Sequence, residues 1–348
     1  MNIAVSNTVF REVLVRLRRD FDIHAIPLTL KVRENSKILR VQALTGEAPP
    51  YLLIKVYANN DSLDGTVPAD RLKRDYAVMH ELYSRWKDSP KFGVPKPIAC
   101  YPDILAIVME ECHGENLSVI LNQEARFFPR QSSLSRLEQL CYQCGEWLRL
   151  HHNEETKVPG SYTLKDFLDY VDARLQKLVS QPTVPIDDTL RCQVLHRIEE
   201  QWHNVDVTET CTVDIHGDYC PSNVMVVGKR LIVIDLAQYG RGAIYHDLSR
   251  FYHQLDMYLV KPTFRRKVIR HLQRALLDGY DPTLSPQNPL FQLLYARHTF
   301  CHLLGISRWE NLPIHERLYN RMLIKRHMEW LKRWLKAKVR QYHFILGS

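Results

Sequence analysis

Residues 28 to 58, LTLKVRENSKILRVQALTGEAPPYLLIKVYA, restrict the first part of the chain to one kind of sheet. Three strand-like runs, near 28–33, 38–44 and 51–57, are separated by the turn-like segments ENSK and TGEAPP. Connections this short join antiparallel neighbours, so the stretch reads as an antiparallel meander. PADRLKRDYAVMHELYSRWK follows with helical spacing, placing Leu72, Tyr76, Met79 and Tyr83 on one stripe. Ile104 to Met109 reads as a further strand, and Gly114 marks its exit. The pattern is mostly helical from 116 to 205 and again from 245 to the end. The expectation is an α+β chain of two lobes with a cleft between them: a β-rich lobe over 1–112 and a helical lobe over 113–348.

Between the two helical blocks lies DIHGDYCPSNVMVVGKRLIVIDLAQ, residues 214 to 238. Pro221 stops a helix from continuing, so 217–223 reads as a loop whose side chains can converge. Asn223 begins the strand NVMVV, and KRLIVIDL is its expected hairpin partner through Gly228. That hairpin returns Asp235 to the side of Asn223. An Asp and an Asn at one end of a hairpin supply oxygen ligands suited to Mg²⁺. Asp218 remains as a carboxylate able to accept a proton from a hydroxyl. A base plus a metal pair is what phosphoryl transfer asks of a protein. It also gives Asp235 a reason to end an apolar run, because a divalent ion compensates a carboxylate that is costly to bury alone. The alternative is ordinary capped turns and a core acid.

Charge narrows the partners without naming one. The formal net charge is +8, which favours an anionic partner such as a nucleotide, an acidic substrate, a membrane surface or nucleic acid. No reading motif for nucleic acid is visible, so none is expected as a partner. No apolar run approaches the ~20 residues of a membrane span. The first residues read as an amphipathic helix and not as a signal peptide. The eight cysteines are scattered, which fits a reducing cytoplasm. Cys141 and Cys144 form a CxxC within a helical pattern and read as a buried helix face, with metal or redox chemistry as the alternative.

HGDYCPSNVM, then VIDLAQYGRGAIYHDLSR, resembles the Brenner-type motif of the aminoglycoside phosphotransferase and choline kinase superfamily, small-molecule kinases with a protein-kinase-like fold. The resemblance implies Asp218 as catalytic base, Asn223 and Asp235 as Mg²⁺ ligands, and His216 and Asp247 as supports of the catalytic loop. Leu236 stands where a Phe is more usual. YLLIKVY resembles the strand whose lysine reaches the nucleotide phosphates, here Lys55. RLKRDYAVMHEL resembles the helix that carries that lysine's acidic partner, Asp75 by alignment, with Glu81 as competitor. AIVMEECHGENL resembles the hinge, so backbone atoms of Glu110 to Cys112 are expected at the adenine edge. The turn RENSK has no glycine, unlike the protein-kinase phosphate loop, and Ser36 is its candidate phosphate contact. The implied cofactors are ATP or GTP and Mg²⁺, and the implied reaction is transfer of the γ-phosphate to a hydroxyl of a sugar, amino alcohol or glycolipid head group.

Two features lie outside the resemblance. LLYARHTFCHLLGISRWEN carries Arg297, His298, His302, Arg308 and Trp309, which would suit a neutral or anionic acceptor better than a polycationic one, unless they only pack and pair internally. Residues 315–343 are basic with helical spacing: a terminal packing helix, or a surface for anionic lipid or another polyanion. The alternatives to a kinase are thus a catalytically silent nucleotide-binding or regulatory protein and a membrane- or polyanion-binding protein acting through this helix.

Overall fold

The computed structural model describes residues 8–32, 36–45, 49–57, 68–152, 157–309 and 312–337. The chain forms two compact units, Met1–Leu117 with Asn223–Ala237, and Ser118–Ser222 with Gln238–Ser348.

The first unit is built on a five-stranded antiparallel sheet. In chain order its elements are α1 (Thr8–Phe21), β1 (Ala25–Val32), β2 (Ser36–Ala43), β3 (Tyr51–Tyr57), α2 (Pro68–Trp86), β4 (Phe92–Gly93), β5 (Pro97–Tyr101), β6 (Ala106–Glu110) and β7 (Glu115–Asn116). The sheet runs β1-β2-β3-β6-β5. Alternation sets its core: Leu39, Val41, Leu52, Ile54, Ala106 and Val108 are buried together, and Phe10, Val13 and Leu17 of α1, spaced by three and four, join the same cluster. The meander expected from the turn spacing is present, with Ile38 and Ile107 flanking Lys55 on its two neighbours. The turn residues 33–35 of RENSK and 46–48 of TGEAPP lie outside the described residues.

The expected hairpin of 223–235 is β9 (Val224–Val227) and β10 (Arg230–Val233), turning at Gly228 with φ of 60°. A positive φ is what glycine supplies at no steric cost. This hairpin belongs to the first compact unit, whereas the residues on either side of it in sequence belong to the second. β10 runs parallel to β4, and β9 pairs with β7, giving the order β4-β10-β9-β7. Arg230 clamps the pairing by donating to the Phe92 carbonyl at 2.9 Å. The contiguous division 1–112 and 113–348 therefore differs from the compact units, which break near 117 and carry 223–237 with the sheet.

The second unit is helical: α3 (Leu117–Glu124), α4 (Gln131–His151), α5 (Leu164–Val179), α6 (Asp188–Trp202), α7 (His246–Met257), α8 (Arg266–Tyr280), α9 (Pro289–Ile306) and α10 (Ile314–Lys336), with a two-stranded pair of β8 (Thr212–Ile215) and β11 (Gly240–Ala243). Sequence fixes several starts. Thr163 and Asp166 form a capping box on α5, and Asp187 caps α6 through the Leu190 N–H. In α10, Leu323, Met328, Trp330, Leu331 and Trp334 are buried, and the Trp334 indole donates to Gln201 at 3.1 Å. The tryptophans of the basic tail thus fill the core; residues 338–343 lie outside the described residues. No described helix is long and apolar enough to cross a membrane.

Candidate active site

The loop that leaves β8 is shaped by a buried carboxylate. Asp247, at the start of α7, accepts from the His216 N–H at 2.6 Å and the Gly217 N–H at 2.9 Å. Burial alone would raise its pKa. The rings of His152, His246 and His216 outweigh that and hold it well below the usual carboxylate range, so it stays ionised at 0% exposure. Gly217 adopts φ of 81°, and a Cβ there would sit 2.2 Å from the Gln238 carbonyl, so only glycine fits. The Asp218 N–H then donates to His216 Nδ1 at 3.3 Å. The three residues of His-Gly-Asp contribute differently, as an imidazole acceptor, a tight backbone passage, and an acid delivered to a fixed place.

Arg250, one turn into α7, meets that acid. Its Nε and Nη2 donate to Asp218 Oδ1 at 3.2 and 2.8 Å. The guanidinium is partly buried, and the Asp218 carboxylate keeps its pKa raised despite that burial. Sequence reading named no role for Arg250; its only signal is its place in HDLSR, three residues after Asp247.

The second acid sits in the first unit. Asp235 follows β10 in the left-handed region, with φ of 64°. That conformation is uncommon for a residue with a side chain, and Asp tolerates it better than most. The Ile234 N–H donates to the Asn223 carbonyl at 3.0 Å, which closes the hairpin and brings Asn223 and Asp235 to the same end. From β3, Lys55 reaches Asp235: Nζ to Oδ1 is 2.7 Å, and the ammonium also lies 4.8 Å from the Tyr57 ring centre. Burial works against the Lys55 charge, but Tyr57 and Asp235 outweigh it and raise its pKa. Oxygen donors from an Asp and an Asn on adjoining backbone are a donor set that fits Mg²⁺.

Asp75 and Glu81 sit in very different surroundings. Glu81 is exposed and pairs with Arg85 along α2 at 3.3 Å. Asp75 is 3% exposed, and its Oδ2 has no hydrogen-bond partner among the described residues. Burial pushes its pKa up to about 6, against the pull of Arg71, Arg74 and Lys55. Ser36 opens β2 and is buried. At the end of β6 the Glu110 and Glu111 N–H groups are committed to the Lys96 and Tyr51 carbonyls at 2.9 and 3.0 Å. The Cys112 thiol is pushed up to about 12 by burial and by Glu110 and Glu111, so it is a neutral group there.

Of the residues considered for the acceptor, Arg297 is half-buried, donates to the Tyr162 hydroxyl at 3.1 Å and lies 3.6 Å from the Tyr170 ring centre. His298 is buried against the His246 carbonyl and Ser249. His302 and His327 contact each other at 2.9 Å, beside buried His253. These groups pack and pair internally. Cys141 and Cys144 are free buried thiols of α4.

The family model described as the phosphotransferase enzyme family matches residues 37–284. No curated protein sequence matches the chain. Among solved structures, a choline/ethanolamine kinase family protein from Mesorhizobium loti superposes with a TM-score of 0.55 at 14% identity, over 97% of this chain and 98% of its own. Choline kinase from Cryptosporidium parvum gives 0.56 at 12% identity, over 93% and 95%. The ADP-bound aminoglycoside phosphotransferase APH(2'')-Ib gives 0.51 at 13% identity, over 94% and 97%. At these identities the likeness is one of fold, the protein-kinase-like α+β architecture.

Proposed function

Because the chain belongs to the phosphotransferase enzyme family, we propose that it transfers the terminal phosphoryl group of ATP, or of GTP, to a hydroxyl group of a small molecule, with Asp218 as the base. The observation that carries the reading is the 2.7 Å ion pair between Lys55 and Asp235, residues 180 apart in sequence that the motif assigns to phosphate and metal. A structural ion pair needs no Asn223 beside it; a phosphate and metal site does.

In this reading Lys55 holds the nucleotide phosphates, and Asn223 and Asp235 would hold Mg²⁺, which when bound neutralises charge on the phosphates. Asp75 is the candidate acidic support of Lys55, whose charge lowers the Asp75 pKa. Ser36 is a candidate phosphate contact. With the Glu110 and Glu111 N–H groups already used, the adenine edge falls to carbonyls of this stretch and to the Cys112 N–H. Asp218 accepts the acceptor's hydroxyl proton, and Arg250 is a positioning residue that fixes its carboxylate. His216 and Asp247 hold the loop.

Asp218→Asn tests the reading. It is expected to bind Mg²⁺ and ATP near normally while transferring phosphate roughly 10²- to 10⁴-fold more slowly, the range of a lost general base. Titration calorimetry with nucleotide and an ADP-release assay over a panel of hydroxyl compounds measure the two. Wild-type turnover by the variant refutes Asp218 as base.

A further inference from the structure

A cavity of 140 Å³ opens within the second unit, lined among others by Ser118 and Asn122 of α3, Ser222, Gln254 of α7, Lys261, and Tyr319 of α10. A single water needs only about 10–15 Å³, so this space has the scale of a small molecule. Two connections tie it to Asp218. Ser222 lies four residues after Asp218 on the same loop. Gln254 lies one helical turn, about 5–6 Å, along α7 from Arg250, whose guanidinium holds the Asp218 carboxylate. Met257, Tyr258 and Lys261 continue that face.

The lining holds one charged residue, the cation Lys261. None of its residues is an Asp or a Glu. Lys261 makes no ion pair among the described residues; its ammonium donates to Asn122 Oδ1 at 3.2 Å and lies 5.5 and 5.8 Å from the ring centres of Tyr258 and Tyr319. Arg126 donates to the same Asn122 oxygen at 3.4 Å. Two cations thus share one amide oxygen. Burial and the Arg126 charge together depress the Lys261 pKa. An anionic group entering here would relieve the repulsion and complete the solvation of both cations, whereas a cationic ligand would add a third like charge.

We propose that this cavity is the acceptor site and that it takes an anionic hydroxyl compound, a sugar or polyol carrying a phosphate or carboxylate, with Lys261 as the residue that reads the negative group. The proposal rests on the phosphotransferase reading and narrows it, because it excludes the cationic amino alcohols and aminoglycosides.

The test compares glucose, glucose 1-phosphate, glucuronate, choline and kanamycin as acceptors with the full chain, Mg²⁺ and ATP. The anionic sugars are expected to exceed glucose in kcat/KM by about 10- to 100-fold, the usual worth of a hydrogen bond to a charged group. Lys261→Met should remove that discrimination and Lys261→Arg keep it, with both variants retaining the wild-type thermal midpoint within a few degrees. Comparing glucose 1-phosphate with glucuronate separates phosphate from carboxylate as the group read. Preferential turnover of choline or kanamycin overturns the proposal, as does a Lys261→Met enzyme with unchanged discrimination. If no compound is turned over, thermal shift with inorganic phosphate decides. Stabilisation lost in Lys261→Met supports the site. No stabilisation overturns it, and Mg²⁺·ATP binding measured separately then tells whether the phosphotransferase reading stands.

Discussion

Replacing Asp75 by Asn should make the ligand-free protein more stable above pH 6 and a poorer enzyme. Asp75 is 3% exposed, its Oδ2 lacks a hydrogen-bond partner among the described residues, and burial pushes its pKa up to about 6. An unfolded Asp titrates near 3.9. Between those values the folded chain keeps a proton that the unfolded chain has lost, so stability falls as pH rises through this window and stays lower above it. Two pKa units at 1.36 kcal/mol each give a cost of about 3 kcal/mol at neutral pH. Asn cannot ionise and has the same shape, so the variant escapes this cost, less whatever its amide donor forfeits by burial. A net gain of about 1–3 kcal/mol is expected at pH 7.5, shrinking towards zero or below at pH 4. Chemical unfolding of both proteins at pH 4, 5, 6 and 7.5 measures the difference, and kcat/KM for ATP, expected to fall about tenfold or more, measures the function given up. A stability difference that does not grow with pH, or a wild type that is the more stable at pH 7.5, refutes the argument.

Two further outcomes follow from the same electrostatics. Asp235→Ala should abolish Mg²⁺-dependent ATP binding while circular dichroism shows a folded chain; unchanged Mg²⁺·ATP affinity in that folded variant would remove Asp235 from the site. Acid should weaken the second unit in a definite window. Burial lowers the pKa of His302 to about 4 and of His246 to about 3, and drives His253, His298 and His327 well down. Unfolded imidazoles take protons below pH 6.5 that the folded rings refuse, so stability drops as pH falls from about 6.5 towards 4, by up to about 1.4 kcal/mol per pH unit per ring. His302→Gln should flatten the dependence of the unfolding midpoint between pH 7 and 5, and an unaltered slope counts against it.

Much of the fold was legible because the local signals agreed with the final packing. The meander and α2 follow from period and turn spacing, and where they differ the cause is local. β1 starts at Ala25 and not near 28, and Pro27 within it sits at a register shift opposite β2, where its missing N–H is tolerated. β6 starts at Ala106 although Ile104 and Leu105 continue the apolar run, because Pro102–Ile104 forms a turn and Leu105 takes a left-handed conformation with φ of 51°. β11 was not legible at all. Gly240-Arg-Gly-Ala has no strand propensity, and its antiparallel ladder to β8 is reinforced by Arg241 donating to Asp214 and to the Thr212 carbonyl at 3.0 and 2.7 Å.

At the site, spacing identified the acids but not what keeps them compatible with a folded chain. Asp218 and Asp235 are each matched inside their own unit, one by Arg250 and the other by Lys55. These partners lie 32 and 180 residues away in sequence, beyond the reach of any local pattern. The pairing bears on the proposed site. If Lys55 holds nucleotide phosphates and Asp235 holds Mg²⁺, as proposed above, each ligand would supply the charge that the other takes from the Lys55–Asp235 pair, so nucleotide and metal would be expected to bind cooperatively. Asp75, which has no such match, carries the cost in stability on which the first prediction rests, and Arg71, Arg74 and Lys55 offset only part of it.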